Sequence, residues 1–135
     1  MNKEEVVNIL LSLLKEREEV VFAILFGSVL EGEGYRDVDI AIYLSPPLDP
    51  LEELKYKLFM EVEGERALGV PLDVKILNSA PYYFAFRVLR EGEPLLVRDS
   101  EIYTDFIERT SLRYMDEGYI YRLSLRELEE ALADG

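Results

Sequence analysis

Val20 to Phe26 is an unbroken apolar run that ends at Gly27. A run this short, rich in Val, Ile and Phe, reads as a strand buried on both faces and stopped by a tight turn. Val38, Ile40, Ile42 and Leu44 then alternate with Asp37, Asp39, Ala41 and Tyr43, the two-residue period of a second strand, which Pro46 and Pro47 end. Pro71 to Leu77 reads as a third strand and Leu95 to Val97 as a short further one. The first two strands are joined by a loop marked by Gly32 and Gly34. At roughly ten residues it is longer than a hairpin turn, and a functional loop is expected there.

Helical spacing fills the remainder. Asn2 and Glu5 resemble a capping box ahead of Val6, Leu10, Leu13 and Leu14, predicting a helix from about Lys3 to Glu19. Asp49, Pro50 and Glu52 open a second helix. Leu51, Leu54, Leu58, Phe59 and Val62 form its expected core stripe, and Gly69 its stop. Ser79 is expected to cap a short helix ending near Gly92. Ile102 to Met115 reads as another, stopped at Gly118, and Ser124 with Glu127 as the start of a last one. The order α-β-β-α-β-α with helical additions predicts an α+β fold, a small mixed sheet with helices packed on it. The division expected near Arg98 separates a core, 1–98, from a helical appendage of the same domain, 99–135.

Composition narrows the chemistry. With 135 residues, 49% of them apolar, the chain is one ordinary domain with a genuine core. No apolar run reaches the roughly 18–20 residues of a membrane span, and Met1 to Glu5 does not read as a signal peptide, so a cytoplasmic location is expected. There is no Cys and no His. Thiolate and imidazole metal sites are thereby excluded, as is nucleophilic catalysis of the Ser-His-Asp or Cys-His kind. A net charge of −13 disfavours stable binding to long nucleic acid and favours a basic protein partner. The stretch 99–135 is itself acidic, with 10 acidic and 4 basic side chains.

Asp37 and Asp39 stand two apart on a predicted strand, so their carboxylates share a face. Like charges so close call for a cation, and Mg²⁺ takes carboxylate oxygens together with substrate phosphates. Asp73 lies in the otherwise apolar strand Pro71-Leu72-Asp73-Val74-Lys75-Ile76-Leu77. If that strand pairs beside the second, the three carboxylates converge as ligands for two Mg²⁺ ions, with Asp73 also a candidate general base. Gly27 and Ser28, at the end of the first strand, are the candidate phosphate-binding turn. Lys75 alternates with Asp73, and Tyr82, Tyr83, Phe84 and Phe86 offer either a base-stacking face or ordinary core. Tyr103, Tyr114, Tyr119 and Tyr121 offer a partner surface or helix packing.

Leu25-Phe26-Gly27-Ser28, then Asp37-Val38-Asp39-Ile40-Ala41, then Asp73 resemble the signature of the DNA polymerase β-like nucleotidyltransferase superfamily, over about Val20 to Arg98. Within it the chain resembles minimal nucleotidyltransferases of the MntA antitoxin type, from HEPN/MNT toxin–antitoxin pairs. The length, the Asp73 strand, the Arg90-Glu91-Gly92-Glu93-Pro94-Leu95 segment and the Tyr-bearing C-terminal helix carry that likeness. It departs from the signature in a shorter loop before Asp37 and in Arg36, where a small hydroxyl residue is usual. The resemblance implies an ATP-dependent, Mg²⁺-dependent enzyme that transfers AMP to a Tyr hydroxyl of a HEPN ribonuclease toxin. The alternatives are an antitoxin that acts by binding a basic toxin, and a small-molecule nucleotidyltransferase of the aminoglycoside type.

Overall fold

A computed structural model describes residues 1–32 and 36–134, with the side chains of 119–121 and 134 left aside. Glu33 and Gly34 of the expected loop, and the side chains of Tyr119 and Tyr121, therefore lie outside the described residues. The elements follow the order α1 (Lys3–Leu14), β1 (Val20–Phe26), a 3-10 turn (Gly27–Glu31), β2 (Val38–Leu44), α2 (Pro50–Leu68), β3 (Leu72–Ile76), α3 (Tyr82–Glu91), β4 (Glu93–Val97) and α4 (Ser100–Asp134).

The four strands form one mixed sheet in the order β3-β2-β1-β4. β1 runs antiparallel to both β2 and β4, whereas β3 lies parallel to β2. Being central, β1 is buried on both faces, as its unbroken apolar run requires. One face, with Leu25, Ile40, Ile42 and Val74, packs on Val6, Leu10 and Leu14 of α1 and on Met60 and Leu68 of α2. The other, with Phe22, Ile24 and Ala41, packs on Ala85 and Val88 of α3 and Phe106 of α4. The α+β architecture is the one expected. Among the described residues, no helix is long and apolar enough to cross a membrane.

The starts of α1 and α2 follow their side-chain caps. Asn2 accepts from the Glu5 N–H at 2.8 Å and Asp49 from the Glu52 N–H at 2.8 Å. Four expectations need correction. First, α1 ends at Leu14, before Glu19, because Arg98 gathers the carbonyls there. Its guanidinium donates to Leu14 O at 2.7 Å, Lys15 O at 3.1 Å, Arg17 O at 2.7 Å and Val20 O at 2.8 Å. A cation at a helix C-terminus satisfies orphan carbonyls and opposes the helix dipole favourably. We expect Arg98→Ala to lower unfolding free energy by about 2 kcal/mol, read from urea denaturation midpoints.

Second, α2 turns a different face inward. Leu51, Leu54, Leu58, Phe59 and Val62 remain between 49% and 60% exposed. The buried row is Met60, Gly64 and Leu68, spaced by four, with Tyr56 partly buried below it. Gly64 explains the choice: a Cβ there would collide with the Leu72 side chain, so its absence lets α2 lie close on β3. Third, Pro81 and not Ser79 occupies the cap position of α3; the Ser79 hydroxyl donates to Glu53 instead. Fourth, α4 is one continuous helix of 35 residues, passing through Gly118 and Ser124 without a break. Its first turns pack on the sheet and on α3, with Phe106 and Thr110 buried.

Candidate active site

The strand register assembles the sequence motifs at one end of the sheet. Phe26, the last residue of β1, pairs with Asp39 on β2, and Asp39 is the register partner of Asp73 on β3. Adjacent strands lie about 4.8 Å apart, and register partners point to the same face. Asp39 and Asp73 therefore stand side by side on the face that also carries Ala41. Asp37 lies two residues before Asp39, immediately ahead of β2, and is exposed, whereas Asp39 and Asp73 are half-buried.

Gly27 closes the other side of Asp39. It has φ +83°, in the left-handed region, and begins the 3-10 turn. A Cβ at this position would strike the Asp39 Oδ2 and lie 3.2 Å from its Cγ. The backbone of the Gly27-Ser28 turn thus passes directly against the Asp39 carboxylate, and the exposed Ser28 follows it. The two halves of the motif, apart in sequence, touch.

The electrostatics separate the two paired aspartates. Burial, then the charges of Asp37 and Asp73, push the Asp39 carboxyl above the usual carboxylate value, with Lys75 opposing. Burial also pushes Asp73 upward, but a hydrogen bond from Lys57 and the charges of Lys57 and Lys75 outweigh it and hold this carboxyl low. Lys57 Nζ lies 3.2 Å from Asp73 Oδ1, and Lys75 Nζ 3.5 Å from Oδ2. Asp73 is therefore a firmly ionised oxygen donor and a weakened base.

Lys57 and Glu61 were not singled out by the sequence, because their charges sit among many on α2. In the fold they complete an edge. β3 is an edge strand of the sheet, so among the described residues Val74 has no strand partner on its outer side. Glu61 Oε2 accepts from the Val74 N–H at 2.9 Å, and Lys57 Nζ donates to Val74 O at 2.7 Å and to Glu61 at 2.7 Å. The pair stands in for a neighbouring strand and ties the edge to Asp73. Their i, i+4 spacing is the only sequence signal that joins them.

The aromatic residues divide. Phe84 packs on Phe26 at 5.8 Å and Phe86 stacks on Tyr114 at 4.0 Å, so both serve packing. Tyr103 lies 4.8 Å from Phe22, while Tyr83 remains exposed. Arg36 is exposed. An open cavity of about 210 Å³, lined by Leu54, Lys57, Lys75 and Ser79 among others, runs along the β3 edge. Lys75 and Ile76 also line a second, of about 340 Å³, that reaches Tyr83 and Phe84.

The donor set around Asp39 consists of oxygens, which suits a hard divalent cation. Among the described residues no group of three or more carboxylates is gathered tightly enough to hold an ion unaided, since Asp73 is drawn toward its lysines. Asp37 and Asp39, with phosphate oxygens of a substrate, fit the usual Mg²⁺ arrangement of few carboxylates plus ligands from elsewhere.

The raised proton affinity of Asp39 has a thermodynamic sign. A carboxyl whose folded pKa lies above its unfolded value contributes stability below the unfolded pKa, and loses it as pH rises through the folded one. Ionised Asp39 therefore costs stability at neutral pH. In EDTA, Asp39→Asn is expected to melt at a higher temperature than wild type at pH 7, with the difference vanishing near pH 3. Calorimetric melts across that range check it.

A mixed sheet that sets paired aspartates beside a glycine-serine turn is the scaffold of a nucleotide-transferring domain. Residues 8–101 match the model of the polymerase beta nucleotidyltransferase domain, and the chain belongs to that family. No curated protein matches the sequence. Several solved structures similar to the chain come from toxin–antitoxin complexes. One is a tri-AMPylated Shewanella oneidensis HEPN toxin in complex with MNT antitoxin, at 20% identity, TM-score 0.72, and coverage of 93% of this chain and 98% of that one. Another is the toxin–antitoxin MntA–HepT, at 19% identity, TM-score 0.70, and coverage of 93% and 97%. A toxin–antitoxin solved with AMP-PNP has 22% identity, TM-score 0.73, and coverage of 90% and 97%. At these identities the likeness is one of fold.

Proposed function

We propose that this nucleotidyltransferase is an antitoxin that transfers AMP from ATP to a Tyr hydroxyl of a HEPN-type ribonuclease toxin in the cytoplasm. The observation that carries the reading is the register that sets Asp39 beside Asp73 and beneath Gly27. The proteins of like fold add to it: one complex holds a tri-AMPylated HEPN toxin and another AMP-PNP.

Asp37 and Asp39, joined by Asp73, would hold Mg²⁺, which when bound supplies positive charge to the phosphates and leaving group. The Gly27-Ser28 turn, with no side chain at its first position, lets the triphosphate approach the carboxylates closely. The Tyr oxygen bonds to the α-phosphorus, the bond from that phosphorus to the bridging oxygen breaks, and pyrophosphate leaves. The Asp73 carboxylate, kept ionised, takes the hydroxyl proton. Lys57 and Lys75 keep Asp73 ionised for its part in this cluster.

The test is incubation of the protein with α-labelled ATP, Mg²⁺ and the HEPN-type protein encoded beside it. Label on a Tyr of that protein, absent with EDTA, is expected. Absence of label, or equal label with Asp39→Ala, overturns the reading.

A further inference from the structure

α2 carries two apolar faces. One is covered by the sheet. The other, the row Leu54, Leu58 and Val62 with Leu51 and Phe59 at its margins, points outward over residues 51–62 of the helix. Isolated exposed apolar residues are ordinary, whereas five large ones aligned on one helix mark a binding surface. Phe59 already carries the Arg17 guanidinium 4.6 Å above its ring, while the central row has aliphatic side chains alone.

We propose that this outward face of α2 is where the protein acceptor docks, through an apolar helix bordered by basic residues. The inference rests on the reading that the acceptor is a protein. Three observations choose the occupant. The row lies immediately beside the Glu53-Lys57-Glu61 row, and Lys57 touches Asp73. Leu54 and Lys57 share the wall of the cavity along the β3 edge with Lys75, and both lysines contact Asp73, so a partner seated on α2 lies next to the residues that hold that aspartate. Finally, charge selects against a second copy and for a cationic partner. The chain has a net charge of −13, α2 holds five acidic and three basic side chains, and two of the cations are paired at the margin of the stripe, Lys55 with Glu52 and Arg66 with Glu63. An amphipathic helix laid into such a surface supplies apolar anchors at i, i+3 and i+7, with Lys and Arg at the rim.

The test uses the full chain and the double variant Leu58→Glu/Val62→Glu, whose side chains are exposed and whose fold is checked by circular dichroism. Calorimetric titration with the HEPN-type protein encoded beside it is expected to show at least a tenfold loss of affinity, with Mg²⁺-ATP affinity unchanged. Unchanged affinity for that protein overturns the docking face, while labelling by the wild type would still uphold the transfer. Conversely, a toxin that binds wild type, loses affinity for the variant and is never labelled upholds the docking face and overturns the transfer. Failure of the wild type to bind it overturns the docking face. So does a dimer of the chain alone, seen by light scattering, that the variant splits.

Discussion

Replacing Asp39 with Asn is expected to lower AMP transfer at least about a thousand-fold, or roughly 4 kcal/mol of transition-state stabilisation. Asp39 is the one carboxylate that the other parts of the site all meet. It pairs in register with Asp73, follows Asp37 by two residues, and lies under the Gly27 turn. Asn keeps the shape and removes the charge. The same substitution is expected to stabilise the EDTA-treated protein, because the ionised group is disfavoured by burial and by its two acidic neighbours. Loss of activity with gain of stability separates a chemical role from a structural one, a separation that a drop in activity alone would not give. Single-turnover rates with labelled ATP, beside melting curves of the same preparations, measure both. Asp37→Asn, at an exposed position, is expected to reduce transfer with little change in stability.

The parts of this arrangement that were legible in the sequence are those fixed by short-range pattern. The run Val20–Phe26 became the central strand, and the alternation after Asp37 set Val38 and Ile40 into the core and Asp39 on the opposite face. Asp73 came into register because its strand is parallel to β2, which the sequence allowed but did not dictate. What could not be read depended on which of two equal choices the tertiary structure took. α2 has an apolar row at 54, 58 and 62 and a smaller one at 60, 64 and 68, both at helical spacing. The close approach of Gly64 to Leu72 decides between them. Gly118 looked like a stop, yet a glycine costs only about 1 kcal/mol inside a helix, too little to break one of 35 residues. Arg98 and the Lys57–Glu61 pair act across the fold on backbone groups, and no local pattern distinguishes them from solvated charges.

Gly27→Ala is expected to abolish most of the activity while removing no carboxylate, with a loss of about a hundred-fold or more. Two independent costs arise. The left-handed φ of +83° strains any residue with a Cβ, by about 1–2 kcal/mol. The added methyl would also meet the Asp39 carboxylate, which must rotate or retreat from the turn. The strain alone would appear as lower stability with an unchanged active site. The collision predicts something further, a displaced Asp39 whose affinity for Mg²⁺-ATP falls even where the fold survives. Ser28→Ala serves as the comparison, since it removes a hydroxyl from an exposed position without touching Asp39. Titration of Mg²⁺-ATP into the two variants should show the larger loss for Gly27→Ala. A Gly27→Ala protein that is merely less stable, with nucleotide affinity intact, would mean that the turn shapes the backbone without shaping the carboxylate. The value of a glycine here lies in the neighbour it allows: the Gly27-Ser28 turn and the aspartate come together because nothing stands between them.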